Sequence, residues 1–200
     1  RTSSALSGVL TLEEALDLIL TQADSVFPHD AGTILLLDRP NENAVADASH
    51  MVARVVRSRG YDELGLSAEV NIISFPLGTA PNLMKMYRTG EPYILSDTLA
   101  YEGWQRLPAT DWIRSTAGAP IRVKGEIIGF LNLDSRAPGY FSPSQARGLQ
   151  AFADQAGTAI EKAQLYDQIT DHAVELEQRV VLRTMELQQA NDSLRAAAAS

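Results

Sequence analysis

The chain contains no cysteine. That absence removes disulfides, thiolate nucleophiles, Cys-ligated zinc, iron–sulfur clusters and thioether-linked cofactors. Histidine is nearly as scarce, at His29, His50 and His172. Three widely spaced imidazoles read as surface or structural residues rather than as a metal or haem set. Basic charge is in deficit: 17 Lys and Arg face 25 Asp and Glu, for a net charge of −8. An acidic balance argues against a nucleic-acid footprint and gives no pull towards an anionic membrane surface. No apolar run reaches the ~18 residues of a bilayer span. The opening "RTSSALSGVLTLEEALD" lacks the apolar core of a signal peptide. No HExxH, no Ser-His-Asp order and no phosphate-cradling glycine loop is present. These absences point to a cytoplasmic piece with no catalytic set of its own. Arg1 reads as a cut rather than a natural start, so segments upstream stay open.

What is present is a core-forming pattern. An apolar share of 45 % can fill a domain interior. "TLEE" starts a helix, with Thr11 as cap and Glu14 placed to reach back. Leu12, Leu16, Ile19, Ala23 and Val26 recur at helical spacing until Pro28 stops the ladder. "GTILLLD" (Gly32 to Asp38) and "MVARVVRSRGY" (Met51 to Tyr61) read as strands on either side of a loop, "RPNENAVADAS". "AEVNIISFPLG" reads as extended, "PNLMKMYRTGEP" as a short helix closed by Gly90, and "YILSD" as a brief strand. Leu99 to Trp112 is irregular. "APIRVKGEIIGFLNLDS" places two β-rich runs around Lys124-Gly125, where a tight turn needs positive φ. The middle of the chain therefore reads as an antiparallel meander with inserted helices.

From Ser142, with Pro143 at the first helical position and Gln145 completing a capping box, one helix can run to about Arg195. At 1.5 Å per residue that is about 80 Å, longer than a compact domain of this size covers. Gly148 and Gly157 inside it cost ~1 kcal/mol each against alanine. They suggest the close approach of another backbone. Beyond the first turns the helix shows a heptad. Ala173, Val180, Leu187 and Leu194 fall at a; Ile169, Leu176, Arg183 and Ala190 fall at d. The seam is weak, because Arg183 occupies a core position while Val181, Leu182 and Met185 lie off it. It predicts a parallel homodimer with room for a second register, in which the N-terminal helix could join the C-terminal one at the interface.

This order of elements resembles that of GAF domains. "IRSTAGAPIRVKGEIIGFLNLDS" looks like the family's paired central strands, and "YFSPSQARGLQAFADQAGTAIEKAQLYDQ" like its closing helix. The resemblance covers about Leu6 to Leu165. "LEQRVVLRTMELQQANDSLR" is similar to the helical linker of bacterial sensor histidine kinases. The implied fold is α+β: a GAF-like antiparallel sheet flanked by helices, with a long C-terminal helix extending into a parallel coiled coil. The implied division is a sensory domain over 1–165 and a signalling linker over 166–200. The resemblance implies a sensory and dimerisation module of a two-component histidine kinase. The catalytic parts and the cognate response regulator would lie outside these residues. The alternatives are a ligand-free relay, or the sensor of a cyclic-di-nucleotide synthase or phosphatase. Without cysteine, neither a covalent bilin nor the family's methionine sulfoxide reductase chemistry is open. The cyclic-nucleotide signature, Asn-Lys … Phe … Asp-Glu, has no match in order. No metal is implied, and an unidentified small molecule remains the possible ligand. Its pocket would lie between the sheet and the variable middle, where Tyr93, Tyr101, Trp104 and Trp112 concentrate. Asp97, Arg106, Asp111 and Arg114 could orient it. The alternative is that these aromatics fill the core under a long loop.

Overall fold

The computed structural model describes residues 11–38 and 48–198; in the last helix, the side chains of 171, 189–194 and 196–198 fall outside the described set. Most of the loop read at "RPNENAVADAS", and the side chains of Ala190 and Leu194, therefore lie outside the described residues. The first helix, α1, spans Leu12–Val26, and its start is fixed by chemistry. The Glu14 N–H donates to Thr11 Oγ1 (3.2 Å) and the Thr11 N–H donates to Glu14 Oε2 (2.8 Å), so both arms of the capping box close. Its end comes just before Pro28, with the Phe27 N–H reaching the Ala23 carbonyl.

Six strands follow: β1 Ala31–Asp38, β2 Val52–Arg59, β3 Ser74–Pro76, β4 Tyr93–Leu95, β5 Ser115–Val123 and β6 Glu126–Ser135. They form one antiparallel sheet in the order β3-β2-β1-β6-β5-β4. The single meander expected from sequence is corrected here. There are two meanders, β1-β2-β3 and β4-β5-β6, and the first strand of one pairs with the last strand of the other. The expected turn is present between β5 and β6: Lys124 (φ 53°) and Gly125 (φ 84°) are both left-handed, as a two-residue type I′ turn requires. A second correction concerns "AEVNIISFPLG". Ser67–Val70 forms a helical turn, α2, before β3 begins. Val70 is buried with Tyr61, and burying that side chain decides the local backbone. The short helix α3 runs Pro81–Thr89 and ends on Gly90 at φ 69°.

Strand alternation gives the sheet two apolar faces. Ile34, Ala119, Ile121, Leu131 and Leu133 face α1 and the start of the last helix, α4 (Pro143–Ala198), where Leu20 of α1 and Leu149, Ala153 and Ile160 of α4 complete one core. Leu35, Val55 and Phe130 face the other way, against Leu77, Leu83 and Met86. The helix α4 spans Pro143–Ala198. Both of its glycines explain themselves. A Cβ on Gly148 would come within 2.6 Å of the Phe27 ring, and one on Gly157 within 2.1 Å of the Arg122 carbonyl oxygen. The Gln150 side-chain amide also donates to the Pro120 carbonyl at 3.0 Å, a second tie between α4 and β5.

The chain divides into two compact units, one ending at Ile160 and the other beginning at Glu161. The second unit is the remainder of α4. Within it Ile169, Leu176, Val180 and Leu187 are more than half exposed, as are Val181, Leu182 and Met185, and Ala173 is exposed. Arg183 pairs with Glu186 at 2.8 Å and Arg179 with Glu175 at 2.6 Å along the helix surface. Among the described residues, no helix is long and apolar enough to cross a membrane.

Candidate ligand-binding site

The face of the sheet turned away from α1 is not wholly apolar. Register sets Thr33 of β1 opposite Asn132 of β6, and Thr116 of β5 opposite Asp134 of β6. These four polar side chains floor a cavity whose walls and roof include Ile73, Leu83, Trp104 and Ile113. About 80 Å³ of it is open to the centres of water molecules. That is several times the ~10–15 Å³ one water needs, so the cavity has room for a small organic molecule.

Asp134 is the unusual group. It is 4 % exposed. The Tyr61 hydroxyl donates to its Oδ2 at 3.1 Å, and the Thr116 hydroxyl bonds the same carboxylate. Burial pushes the carboxyl up to about 6, against the downward pull of those two hydroxyls. Tyr61 is itself buried, and burial together with the adjacent carboxylate raises its phenol well above 10. It therefore stays protonated and keeps its role as donor. The Tyr61 ring packs edge-on to Trp112 at 5.8 Å. The loop before β1 is pinned to the same strand end: Asp30 accepts from the Ser135 hydroxyl (3.0 Å) and the Arg136 N–H (2.8 Å). Changing Tyr61 to Phe should cost about 1.5 kcal/mol, because a buried carboxylate loses a donor that nothing replaces. Urea unfolding at pH 7 checks this, and a loss under about 0.5 kcal/mol would show the hydroxyl to be dispensable.

Of the side chains expected from sequence to contact a ligand, Trp104 lines the cavity; Tyr93, Asp97, Tyr101, Trp112 and Arg114 are not among its lining residues. Asp97 and Arg114 instead satisfy each other, through contacts of 3.1 to 3.3 Å. Hydrogen bonds from Arg114, and then the Leu99 N–H, hold the Asp97 carboxyl below its usual range. Tyr93 sits on β4 under the Lys85 ammonium, 4.3 Å from its ring centroid. Tyr101 closes the 3₁₀ turn Thr98–Ala100. Trp112 belongs to the small cluster around Tyr61, with its indole N–H on the Ala109 carbonyl at 2.9 Å. Tyr93 and Trp112 are partly buried against the apolar clusters on this side of the sheet. Arg106 and Asp111 pair at 3.6 Å with more than half of each side chain exposed. The His29 side chain is buried with its Nδ1 2.7 Å from the Phe27 carbonyl, His50 lies beside Ser49, and His172 is exposed on α4. Among the described residues, no group of three or more acidic or imidazole side chains could hold a metal.

The residues that sequence reasoning missed are Tyr61, Thr116, Asn132 and Asp134. A signal existed in "GFLNLDS". Asn132 and Asp134 alternate with Leu131 and Leu133 on a strand paired on both sides. Polar groups at period two on a central strand need a purpose on the face they share.

Residues 9–161 match the GAF domain family, and the chain belongs to it. Solved structures that share its fold include three that illustrate its range. The GAF domain of an Acinetobacter phosphoenolpyruvate-protein phosphotransferase has a TM-score of 0.63 at 20 % identity, over 79 % of this chain and 87 % of that one. A domain described as that of a two-component sensor histidine kinase from Sinorhizobium meliloti 1021 has a TM-score of 0.54 at 20 % identity, over 78 % and 94 %. Residues 122 to 287 of a methyl-accepting chemotaxis protein have a TM-score of 0.58 at 22 % identity, over 78 % and 92 %. At these identities the likeness is one of fold. No curated protein matches the chain.

Proposed function

We propose that this chain is the cytoplasmic sensory and dimerisation module of a bacterial signal-transduction protein, and that its parent is a two-component sensor histidine kinase. The observation that carries the sensory reading is the cavity on the sheet, floored by buried polar groups and walled by apolar ones. Such a mixture suits a small molecule held by a few oriented contacts. The same fold serves in a chemotaxis protein and in a domain described as that of a sensor kinase, which supports a signalling setting. The linker-like sequence of α4 supports the kinase in particular. In this reading the module has no catalysis of its own, and a response regulator receives the parent's output.

The exposed apolar residues of the second unit supply the dimer. An isolated helix this polar is marginal in water. A second copy, seated along Ile169, Ala173, Leu176, Val180, Leu187 and Leu194, would cover them. Native mass spectrometry of the chain tests both parts of the proposal. A dimer carrying extra mass is the expected result, and a bare monomer would sink the coiled-coil argument. Changing Leu176 and Val180 together to Asp should turn the dimer into a monomer while the melting of the first unit stays put. A persisting dimer would move the interface elsewhere. The modest size of the cavity favours one second reading, a GAF domain that relays and dimerises without a ligand. A bare dimer that no small molecule shifts would select it.

A further inference from the structure

We infer that the cavity takes a small organic cation, its protonated nitrogen set against Asp134 and its apolar body against Ile73, Leu83 and Trp104. The inference rests on the ligand-sensing reading and goes further by naming the chemistry of the ligand. No lysine, arginine or histidine is among the described residues that line the cavity. The carboxylate on its floor is buried, and the hydrogen bonds it accepts come from the neutral hydroxyls of Tyr61 and Thr116. A carboxylate has about four acceptor positions, so those two donors leave some unused.

The charge state fits. Among the described residues, Tyr61 is the one titratable side chain hydrogen-bonded to this carboxyl. Asp30 meets the same strand end, but its carboxylate is engaged by Ser135 and the Arg136 N–H. At neutral pH Asp134, which titrates at about 6, is mostly ionised, and no basic side chain is among the described residues that line the cavity with it. An entering N–H cation supplies a counter-ion and gains charge-assisted hydrogen bonds. An entering anion would set two negative charges side by side in a poorly solvated site. A neutral ligand could use Thr33 and Asn132 but would leave the carboxylate uncompensated. The remaining lining groups are neutral amides and hydroxyls or apolar side chains, which suits an uncharged body.

A matched series on the unaltered chain decides the matter: benzamidine (cation), benzamide (neutral, same shape) and benzoate (anion), titrated calorimetrically at pH 7.5 with tryptophan emission followed in parallel. Benzamidine should bind on the order of ten- to a hundred-fold more tightly than benzamide, with benzoate weakest. In the Asp134→Asn variant, shown to be folded by circular dichroism, that preference should vanish. Benzamide or benzoate binding as tightly as benzamidine would overturn the inference while leaving a ligand-binding cavity intact. A cation preference that survives Asp134→Asn would also overturn it, by placing the anion elsewhere. If none of the three binds, the inference falls, and the native mass spectrum, by the presence or absence of extra mass, separately decides the ligand-sensing reading.

Discussion

Replacing Gly157 by alanine should destabilise the chain, although the same change in an ordinary exposed helix would stabilise it by about 1 kcal/mol. Two effects compete. Alanine improves helix propensity, because it removes glycine's extra backbone entropy. At Gly157, however, a Cβ would lie 2.1 Å from the Arg122 carbonyl oxygen, a backbone atom of a paired strand. It cannot swing aside as a side chain could. Overpacking of this kind costs about 3 kcal/mol, so the net loss should be about 2 kcal/mol. Gly148 is the internal comparison. Its added Cβ would meet the Phe27 ring at 2.6 Å, and a ring at a helix end can rotate away. Gly148→Ala should therefore cost less than Gly157→Ala. Chemical unfolding of the two variants tests the order. A Gly157 variant as stable as its parent would mean that α4 does not pack as closely on β5 as described.

The second large effect concerns pH. The Asp134 carboxyl titrates at about 6 in the folded chain, against ~3.9 for an unfolded aspartate. Between these values the folded state binds the extra proton, so stability falls as pH rises. The contribution is complete below about pH 4 and lost above about pH 6, and its size is roughly 3 kcal/mol. Other carboxylates work in the opposite direction. Glu14 is lowered by its capping bonds and Asp97 by Arg114, so each favours folding above its unfolded value and loses that effect in acid. The prediction is therefore a difference. Asp134→Asn should gain stability relative to its parent as pH goes from 4 to 7. Equal pH profiles for the two chains would show that the carboxyl is not raised.

The fold was legible where local chemistry and burial agree. Thr11 and Glu14 cap the helix they announce, Lys124-Gly125 turns the hairpin, and Gly148 and Gly157 mark close approach. The pairing of β1 with β6 was not legible, because no local signal joins strands so distant in sequence. Ser67–Val70 misled for a related reason: Val70 is held by Tyr61 and its neighbours, not by its own propensity. At the site, the concentration of aromatics in the sequence meets the cavity at one residue, and the rest of the cavity lining carries no comparable local signal. Trp104 reaches the cavity, while Asp97 and Arg114, which look like ligand holders in sequence, neutralise each other. Which acid is buried and which is paired depends on the partner across the sheet. That knowledge is tertiary.

The seam between β1 and β6 has a consequence for the order in which the site can come into being during synthesis. Thr33 and Asn132 face each other across it, on the order of a hundred residues apart in the chain, and Asp134 enters with β6. A nascent chain that has not yet delivered β6 has neither Asn132 nor Asp134, and so no floor for a ligand to find. A ligand of the kind proposed would meet only chains whose two meanders have joined. By mass action it would then hold that seam shut, and a cell's supply of it would also set how much of the protein survives.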